Sequence, residues 1–472
     1  MTKLIDATPL VDGDSAAAVL AAALRAGAGW AELYVEQRNA ETVRLDGGQV
    51  AELRSDRDLG AAVRVIAGDT VGLAYTNTLS TAALVEAAQA ASTAASAAAI
   101  NIGVARADLT VVPVPPAQSA LRPPSDVSSA DKVDLLRRAD AAARSHDGSI
   151  RDVTAIHVDV EQQILVANTD GLLVRDARVR SRLTCRVTAR RDGRTESGFD
   201  GPGLGGGLEL YDEDPPEHIA VRAAERAMNA LVGSDPPNGE MIVVLGPGGG
   251  GLLLHEACGH GLEADGLDRE SSIYAQTVGK TIASRWVTAV DDPSRPAGFG
   301  SYGVDDEGVL SSPTVLIDAG MQVGALTDRT TARHAGGAIT ANGRRASYAD
   351  PPLPRMTNTY IEPGIDDPAG VVADVRRGIY VTRLRGGDVN VATGEFAFTA
   401  AEAYLVEHGR LTRPLTGVTL LGNGPSALAA VDAVGPDLAF TQALCGKEDQ
   451  WVPVSYGAPT LRITRLTVAG TS

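Results

Sequence analysis

Long segments in which apolar and polar residues alternate are the feature that most constrains the fold of this chain. Three of them follow one another near the amino terminus, over residues 31–37, 41–54 and 59–77. Within them lie the sequences DGG and AGD, and glycine-containing turns of this kind join neighbouring antiparallel strands. Because successive side chains on a strand point to opposite faces, the alternation predicts a sheet with one face in the core.

Helical segments separate the strand segments in the first half of the chain. We predict helices over residues 14–27 (capped by Asp14 or Ser15), 80–98, 131–145 and 218–233. From residue 240 the pattern changes to a strand, a glycine run and an apolar helix that begins near Leu252, and the remainder is rich in strands. We therefore predict an α+β fold, with N-terminal α/β domains followed by a strand-rich C-terminal domain that carries this helix.

A proline-rich stretch divides the chain. The sequence VPVPPAQSALRPP contains proline pairs and no hydrophobic period, which is typical of a semi-rigid linker. A length of 472 residues also exceeds one ordinary core. We predict an N-terminal α+β domain, a Pro-rich linker, a middle α+β domain and a C-terminal domain, at residues 1–110, 111–130, 131–237 and 238–472.

The composition disfavours several kinds of partner. Asp and Glu outnumber Lys and Arg by 59 to 42, and the net charge of −17 repels phosphate backbones and anionic membrane surfaces. The amino terminus lacks the cationic and apolar regions of a signal peptide, and no apolar run approaches the ~20 residues that span a bilayer. We therefore expect neither nucleic acid nor membrane as a partner, and a cytoplasmic location.

The segment GLLLHEACGHGLEAD brings two histidines and a glutamate together in a chain that has only 7 histidines. In the HExxH pattern of metallopeptidases the histidines are four residues apart, so both rings face one ion. Here His255 and His260 are five residues apart, which would turn the rings about 140° from each other on a regular helix. We therefore predict a π-type turn or an unwound turn between them, which Gly259 and Gly261 would permit.

Two imidazoles leave a catalytic zinc one ligand short, because three protein ligands and one open position are the common arrangement. Cys445 is our candidate, although it lies 185 residues beyond His260 and spacing alone does not select it. Cys258 competes by proximity, but it is better explained as a small residue packed inside, as is Cys185. Glu256, beside the first histidine, is placed to act as general base on a metal-bound water and then to protonate the leaving amine.

The glycine run GPGGGG before this helix offers an alternative. It satisfies GxGxxG between a strand and a helix, which is the context of a dinucleotide site. No convincing βαβ unit with a ribose-binding acid follows it, and close packing of the strand against the helix explains the glycines equally well. Three hypotheses therefore stand in order: a peptidase, a non-hydrolytic peptide-binding subunit with a structural metal, and a dinucleotide-dependent enzyme.

Several segments besides the histidine motif carry a family resemblance. They are GVDDEG, NGRRASYADPPLPRMTNTYIEPG and CGKEDQWVPVSYGAPTLRITRLTVAGT. Together they are similar to the TldD half of the TldD/TldE (PmbA) metallopeptidases over nearly the whole chain. The sequence KEDQWVPVSYG departs from the more glycine-rich KEGQxxPVGxG that the family leads us to expect, and this departure bears on the wall beside the metal.

The resemblance implies a metal site and a partner. One zinc ion per chain would be held by His255, His260 and Cys445, with Glu256 as catalytic acid and base. The active site would be enclosed in a dimer, formed either with a second copy or with a TldE-like subunit that lacks the metal motif. The activity implied is that of a peptidase acting on unfolded or extended peptides.

Substrate contacts are predicted on physical grounds. Abundant edge-forming strands suggest that a peptide binds as an added β-strand, which only an unfolded chain can do. A polarised carbonyl also needs a fixed donor. Candidate substrate or oxyanion contacts, for which structural salt bridges are the alternative role, are Arg344, Arg345, Tyr348 and Arg355.

Overall fold

The computed structural model describes residues 10–26, 29–95 and 108–470. Its first half contains one large sheet with helices. The elements are α1 (Gly13–Ala23), β1 (Trp30–Asp46), β2 (Gln49–Ala67), β3 (Thr70–Thr76), α2 (Thr81–Ala95), β4 (Thr110–Val111), α3 (Ser129–His146), β5 (Ile150–Asn168), β6 (Leu172–Arg191), β7 (Arg194–Asp200), β8 (Gly203–Leu204), α4 (Leu210–Glu213) and α5 (Pro216–Val232). The strand order of this first sheet is β3-β2-β1-β5-β6-β4, and β7 and β8 also pair with β6.

Local sequence explains the turns and ends of these elements. Gly47 and Gly48 join β1 to β2 and Gly68 joins β2 to β3, all with positive φ, so the two predicted hairpins are confirmed. The predicted cap of the first helix is wrong, because the side chain of Asp12 accepts the hydrogen bond from the Ser15 amide. The predicted end of the second helix, residues 96–98, lies outside the described residues.

The first sheet unites strands from the first two predicted domains. β1 pairs antiparallel with β5 from Glu32 opposite Asn168 to Asp46 opposite Thr154. Odd-numbered residues of β1, β5 and β6 face the helices, and Cys185 is among them, fully buried as predicted. Even-numbered residues face the opposite side, toward the C-terminal half. The predicted domain boundaries stay a prediction.

The second half begins at β9, and all its elements lie within the described range. They are β9 (Gly239–Leu245), α6 (Gly251–Leu254), α7 (Ala264–Asp268), β10 (Ala289–Asp291), β11 (Thr314–Asp318), β12 (Met321–Gln322), α8 (Arg329–Ala335), β13 (Gly343–Arg344), β14 (Leu353–Pro354), β15 (Asn358–Ile361), α9 (Pro368–Ala373), β16 (Arg377–Val389), β17 (Glu395–Glu407), β18 (Arg410–Leu415), β19 (Val418–Asn423), α10 (Gly424–Ala429), β20 (Val431–Val434), β21 (Ala439–Lys447), β22 (Gln450–Ala458) and β23 (Leu461–Gly470).

Two large sheets organise this half, and β13 and β14 form a separate two-stranded sheet. The second sheet has the order β16-β9-β23-β19-β17-β18, with β20 on β23, and the third has the order β12-β11-β10-β15-β22-β21. The largest apolar core contains side chains from both sheets, and α6 contributes Leu252, Leu253 and Leu254 to it. The predicted α+β class is confirmed, and the helix with the histidine motif begins inside this core. None of the helices in the described ranges is long and apolar enough to cross a membrane.

Candidate metal centre

The glycine run places α6 directly against the third sheet. A Cβ on Gly251 would lie 2.8 Å from the main-chain nitrogen of Gly457, and one on Gly250 would lie 2.6 Å from Leu461 Cδ1. Main-chain atoms of β22 cannot move aside as the end of a flexible side chain can. Glycines therefore allow the start of α6 to approach β22.

The chain changes its helical period at the histidines. Residues His255–Gly259 form a π turn, and a 3₁₀ turn over His260–Leu262 follows it. The deformation that the five-residue spacing predicts is thus confirmed. The wider turn brings the two imidazoles onto one side, with ring centroids 5.0 Å apart. Gly259 lies against the sulfur of Met356, where a side chain on residue 259 would have no space.

Cys445 on β21 meets both histidines. Its Sγ is 3.2 Å from Nε2 of His255 and 3.2 Å from Nε2 of His260. One ligand atom from each of the three residues lies within 4.8 Å of the others. Burial raises the pKa of the Cys445 thiol, but the charge on His255 and hydrogen bonds from the two histidines lower it to about 4. The cysteine is therefore available as a thiolate.

This donor set fits a zinc ion. A thiolate and two imidazoles are ligands that zinc prefers, and three protein ligands leave a position open. Nδ1 of His260 is bonded to Glu263 Oε2 at 3.0 Å, which leaves Nε2 facing the other two donors. On the His255 ring, Nε2 is again the nitrogen that faces Cys445. The other ring nitrogen, Nδ1, is buried and has no hydrogen-bond partner among the described atoms. Cys258 is buried as predicted and is not one of the three grouped residues.

Glu263 is a site residue that the sequence reasoning missed. It is almost fully buried, and it accepts hydrogen bonds from His260 and from Lys447 Nζ at 2.9 Å. Burial raises the pKa of its carboxyl group, but His260 and Lys447 lower it well below its ordinary value. An ionised carboxylate behind a ligating imidazole fixes the ring and its tautomer. Its position in GHGLEAD, three residues after His260, is the signal that could have found it.

Glu256 faces open space. Its carboxylate lies 3.9 Å from His260 Nε2, and its side chain is 27% exposed, whereas His255 beside it is buried. It lines a cavity of about 500 Å³ together with the three grouped residues. The ionisable group that the sequence predicts as the base therefore lies on the open side of the site.

Two of the predicted substrate contacts hold the main chain. Arg355 is fully buried and donates to the carbonyl oxygens of Cys445 at 2.6 Å and of Gln450 at 3.1 Å. Arg344 donates to the carbonyl oxygens of Met356 at 2.6 Å and Pro453 at 2.8 Å. Both arginines thereby connect the β21–β22 hairpin to neighbouring segments.

The other two predicted substrate contacts, Arg345 and Tyr348, lie farther from the histidines, toward the first sheet. Arg345 binds Glu32 Oε1 at 2.6 Å, and the ring of Tyr348 packs over Gly60. None of the four predicted contacts lines the cavity beside the histidines. Their role in substrate binding stays a prediction.

Other residues that line this cavity were not predicted. Tyr456 has its ring 5.5 Å from that of His255, and Arg383 donates to Asp200 at 2.8 Å. Arg182, from β6 of the first sheet, reaches the same cavity. No local pattern marks them, because each comes from a different strand.

Three family models together match most of the chain. Residues 238–470 match the PmbA/TldA metallopeptidase C-terminal domain, residues 122–231 match the central domain, and residues 31–95 match domain 1 of the same family. All three models describe domains of the same family. The domains follow one another along this chain in the order of their numbers.

Comparison with individual proteins points to the same family. A metalloprotease TldD homolog of Haemophilus influenzae is 37% identical over 450 residues, which cover 94% of this chain and 93% of that protein. A zinc metalloprotease TldD homolog of Saccharolobus solfataricus is 32% identical over 263 residues, 55% of this chain and 58% of that protein. TldE from Thermococcus kodakarensis has the same fold, with a TM-score of 0.73 at 22% identity over 94% of this chain and 97% of that one. The chain therefore belongs to the PmbA/TldD family of metallopeptidases.

Proposed function

We propose that this chain is a zinc-dependent peptidase that hydrolyses unfolded or extended peptides. The observation that carries the proposal is the convergence of His255, His260 and Cys445 beside Glu256 at an open cavity. Relatives named metalloproteases support it, and one of them is named a zinc metalloprotease. The glycine run supports it over a dinucleotide enzyme, because Gly250 and Gly251 pack against the sheet.

The residues of the site would have different roles in the reaction. His255, His260 and Cys445 would hold one zinc ion, which when bound supplies a Lewis acid for the carbonyl and lowers the pKa of a water molecule. Glu256 is not among these three, so its carboxylate is free to accept a proton from water and to deliver it to the leaving nitrogen. Glu263 and Lys447 would keep the His260 ring in place during the reaction.

The position of β21 supports an extended substrate. β21 is the last strand of the third sheet, and within the described chain no strand pairs with its outer side. Its residues from Thr441 to Gly446 line the cavity next to Glu256. A peptide could therefore add to this edge and bring its main chain to the site, whereas a folded protein offers no such free strand.

We also propose a dimer, formed with a TldE-like subunit or with a second copy, in the cytoplasm. The likeness of the fold to that of TldE supports a related partner. A reducing compartment would keep Cys445 available as a ligand. Light scattering of the purified chain, alone and mixed with a TldE-like chain, distinguishes a dimer of like subunits from one of unlike subunits, and a monomer in both samples would contradict the dimer.

The substitution Glu256→Gln tests the function. We expect the variant to retain about one zinc per chain and to lose at least about 100-fold in cleavage of a flexible peptide, because it removes the base and no ligand. Elemental analysis and a chromatographic cleavage assay measure the two quantities. Glu86→Gln, at an exposed position on α2, is the matched control and should change neither.

Three results would contradict different parts of the proposal. Full activity in Glu256→Gln would exclude Glu256 as the base. A zinc-loaded wild-type protein that cleaves no flexible peptide would instead favour a binding subunit with a structural metal. Equal cleavage of a flexible peptide and of a tightly folded protein with similar sequence would exclude the extended substrate.

A further inference from the structure

A second cavity, here called the arginine cavity, adjoins the one at the histidines. Its volume is about 570 Å³. Even-numbered residues of β5 and β6 form one side and the β21–β22 hairpin forms another. Arg182, Leu444 and Trp451 line both cavities, so the two spaces meet at these three side chains. A peptide that reached the metal centre would pass close to the arginine cavity.

The charge of the arginine cavity is opposite to that of the whole chain. The net charge of the protein is −17, yet the described residues that line this space include six arginines and only two aspartates. The arginines are Arg38, Arg178, Arg180, Arg182, Arg344 and Arg345. Arginine gathered around an enclosed space is typical of sites that recognise carboxylate or phosphate groups.

Three of these arginines form ion pairs with acidic residues of the chain. Arg178 binds Asp176 at 3.1 Å and Asp306 at 2.7 Å. Arg345 binds Glu32 at 2.6 Å. Arg38 lies 3.9 Å from Asp58.

The other three arginines make no ion pair within the described ranges. Among the described residues, Arg182 donates only to the carbonyl oxygen of Gln442, at 3.3 Å. Arg180 donates to the carbonyl oxygens of Phe299 and Ser301 and to the amide oxygen of Gln162. Arg344 donates to two carbonyl oxygens, as described above. None of these three guanidinium groups is therefore in direct contact with a carboxylate of the described chain, although Asp306 is close enough to Arg180 and Arg344 to raise the pKa of both.

Some guanidinium nitrogens also lack any hydrogen-bond partner among the described atoms. Nε of Arg182 is one, and Nε and Nη1 of Arg345 are two more, all of them buried. A buried N–H without an acceptor is costly, and a carboxylate is the acceptor whose geometry matches a guanidinium. Burial, together with Arg178 and Arg344, lowers the pKa of Arg180 to about 9, while Asp306 and Asp176 raise it by smaller amounts. A negative group placed beside Arg180 would therefore favour its charged form.

We propose that the arginine cavity binds a carboxylate group of the peptide substrate, with Arg182 as its contact nearest the metal centre. The inference rests on the proposed peptidase function, since it assigns the substrate class of that site. The carboxylate is either the free C-terminus of the peptide or an Asp or Glu side chain a few residues from the cleaved bond. In both cases Arg182 contributes specificity and takes no part in the bond cleavage.

Peptide binding to the zinc-loaded Glu256→Gln protein tests this proposal without cleavage. Three fluorescent peptides of one sequence are compared by anisotropy: a neutral C-terminal amide, the free acid, and the amide with one internal Gln replaced by Glu. We expect one carboxylate form to bind about tenfold more tightly than the neutral amide. Preference for the free acid identifies the C-terminus, and preference for the Glu peptide identifies a side chain.

Substitutions of Arg182 test whether the preference for a carboxylate arises in the arginine cavity. Arg182→Gln, added to Glu256→Gln, should reduce the preference to within about twofold, whereas Arg182→Lys should retain part of it because the charge remains. Arg190→Gln, on the same face of β6 but lining neither cavity, is the control that leaves the preference unchanged. Thermal unfolding of each variant checks that its fold is intact.

Failure of the inference is distinguishable from failure of the proposed function. If wild-type protein cleaves the neutral amide but all three peptides bind equally, the arginine cavity takes no carboxylate and the peptidase proposal stands. Equal weakening of all three peptides by Arg182→Gln would also overturn the inference, because Arg182 would then only support the wall. If wild-type protein cleaves none of the peptides, the peptidase proposal itself fails and the inference fails with it.

Discussion

Glu36 on β1 is a carboxyl group that the fold holds partly protonated near neutral pH. Burial raises its pKa to about 7; a hydrogen bond from Gln162 lowers the pKa, Asp306 raises it and Arg38 lowers it by smaller amounts. The ordinary pKa of a glutamate is 4.5. The folded protein therefore retains a proton over a pH range in which the unfolded chain has lost it. The stability that this group contributes is present below pH 4.5 and is lost as the pH rises through about 7.

The substitution Glu36→Gln should remove this pH dependence. Because glutamine has nearly the same shape and does not titrate, we expect the free energy of unfolding of the wild type to fall by about 3 kcal/mol more than that of the variant between pH 4.5 and pH 8. Urea unfolding at several pH values, with chelator present so that no metal contributes, measures the difference. Glu86→Gln should follow the wild type, and a Glu36→Gln variant that also followed it would contradict the assignment.

At the scale of elements, the candidate metal centre depends on a short stretch of chain whose helical period changes twice. α6 is followed at once by the π turn and then by a 3₁₀ turn. The stretch is held from outside, since Gly251 touches β22 and the hydroxyl of Tyr274 donates to the carbonyl oxygen of Ala257 at 2.9 Å. Contacts with neighbouring elements therefore stabilise a turn that helical propensity alone would disfavour.

The substitution Gly251→Ala tests this close approach. The added methyl group would meet the main chain of Tyr456 and Gly457, so we expect a loss of about 1–3 kcal/mol in stability and weaker zinc retention. Urea unfolding and elemental analysis measure the two effects. Gly266→Ala in α7 is the control with the opposite sign: its Cβ would be 3.8 Å from Ser271 Oγ, and alanine should stabilise this helix by up to about 1 kcal/mol. A Gly251→Ala protein as stable as the wild type would show that β22 can move.

At the scale of the whole molecule, the three proposed ligands come from segments that are distant in sequence. His260 and Cys445 are 185 residues apart, one following the π turn and the other on an edge strand. All three cysteines are free thiols, so among them no disulfide duplicates this connection. An ion bound by both segments would stabilise the folded state over the unfolded one, because the unfolded chain does not present the three donors together.

Chelation should therefore lower the stability of the protein. At a free zinc concentration 100 times Kd, we expect stabilisation by about 2.7 kcal/mol, seen as a higher midpoint of thermal unfolding than in a chelator. Cys445→Ala should abolish the zinc-dependent difference. Cys258→Ala removes the other cysteine of the C-terminal half and should retain it. A difference that survives in Cys445→Ala but not in Cys258→Ala would assign the third ligand to Cys258.

Much of the local structure could be predicted from the sequence. The hairpins at Gly47 and Gly68 follow from turn residues between alternating segments, and the π turn follows from the spacing of His255 and His260. These features depend on residues within a few positions of one another, so their physical causes lie in a short window. The cap of α1 was nevertheless predicted wrongly, since Asp12 rather than Asp14 caps this helix.

What the sequence by itself determined is the α+β class, the family and the deformed turn that carries two imidazoles. Only the tertiary structure decided which distant groups meet there. Sheet order brings Cys445 to the histidines, directs Arg355 onto the carbonyl oxygen of Cys445, and carries Arg182 from another sheet to the edge of the same cavity. The reason is that turns and helical periods follow from neighbouring residues, whereas contacts across sheets follow from strand order and register, which the whole core selects.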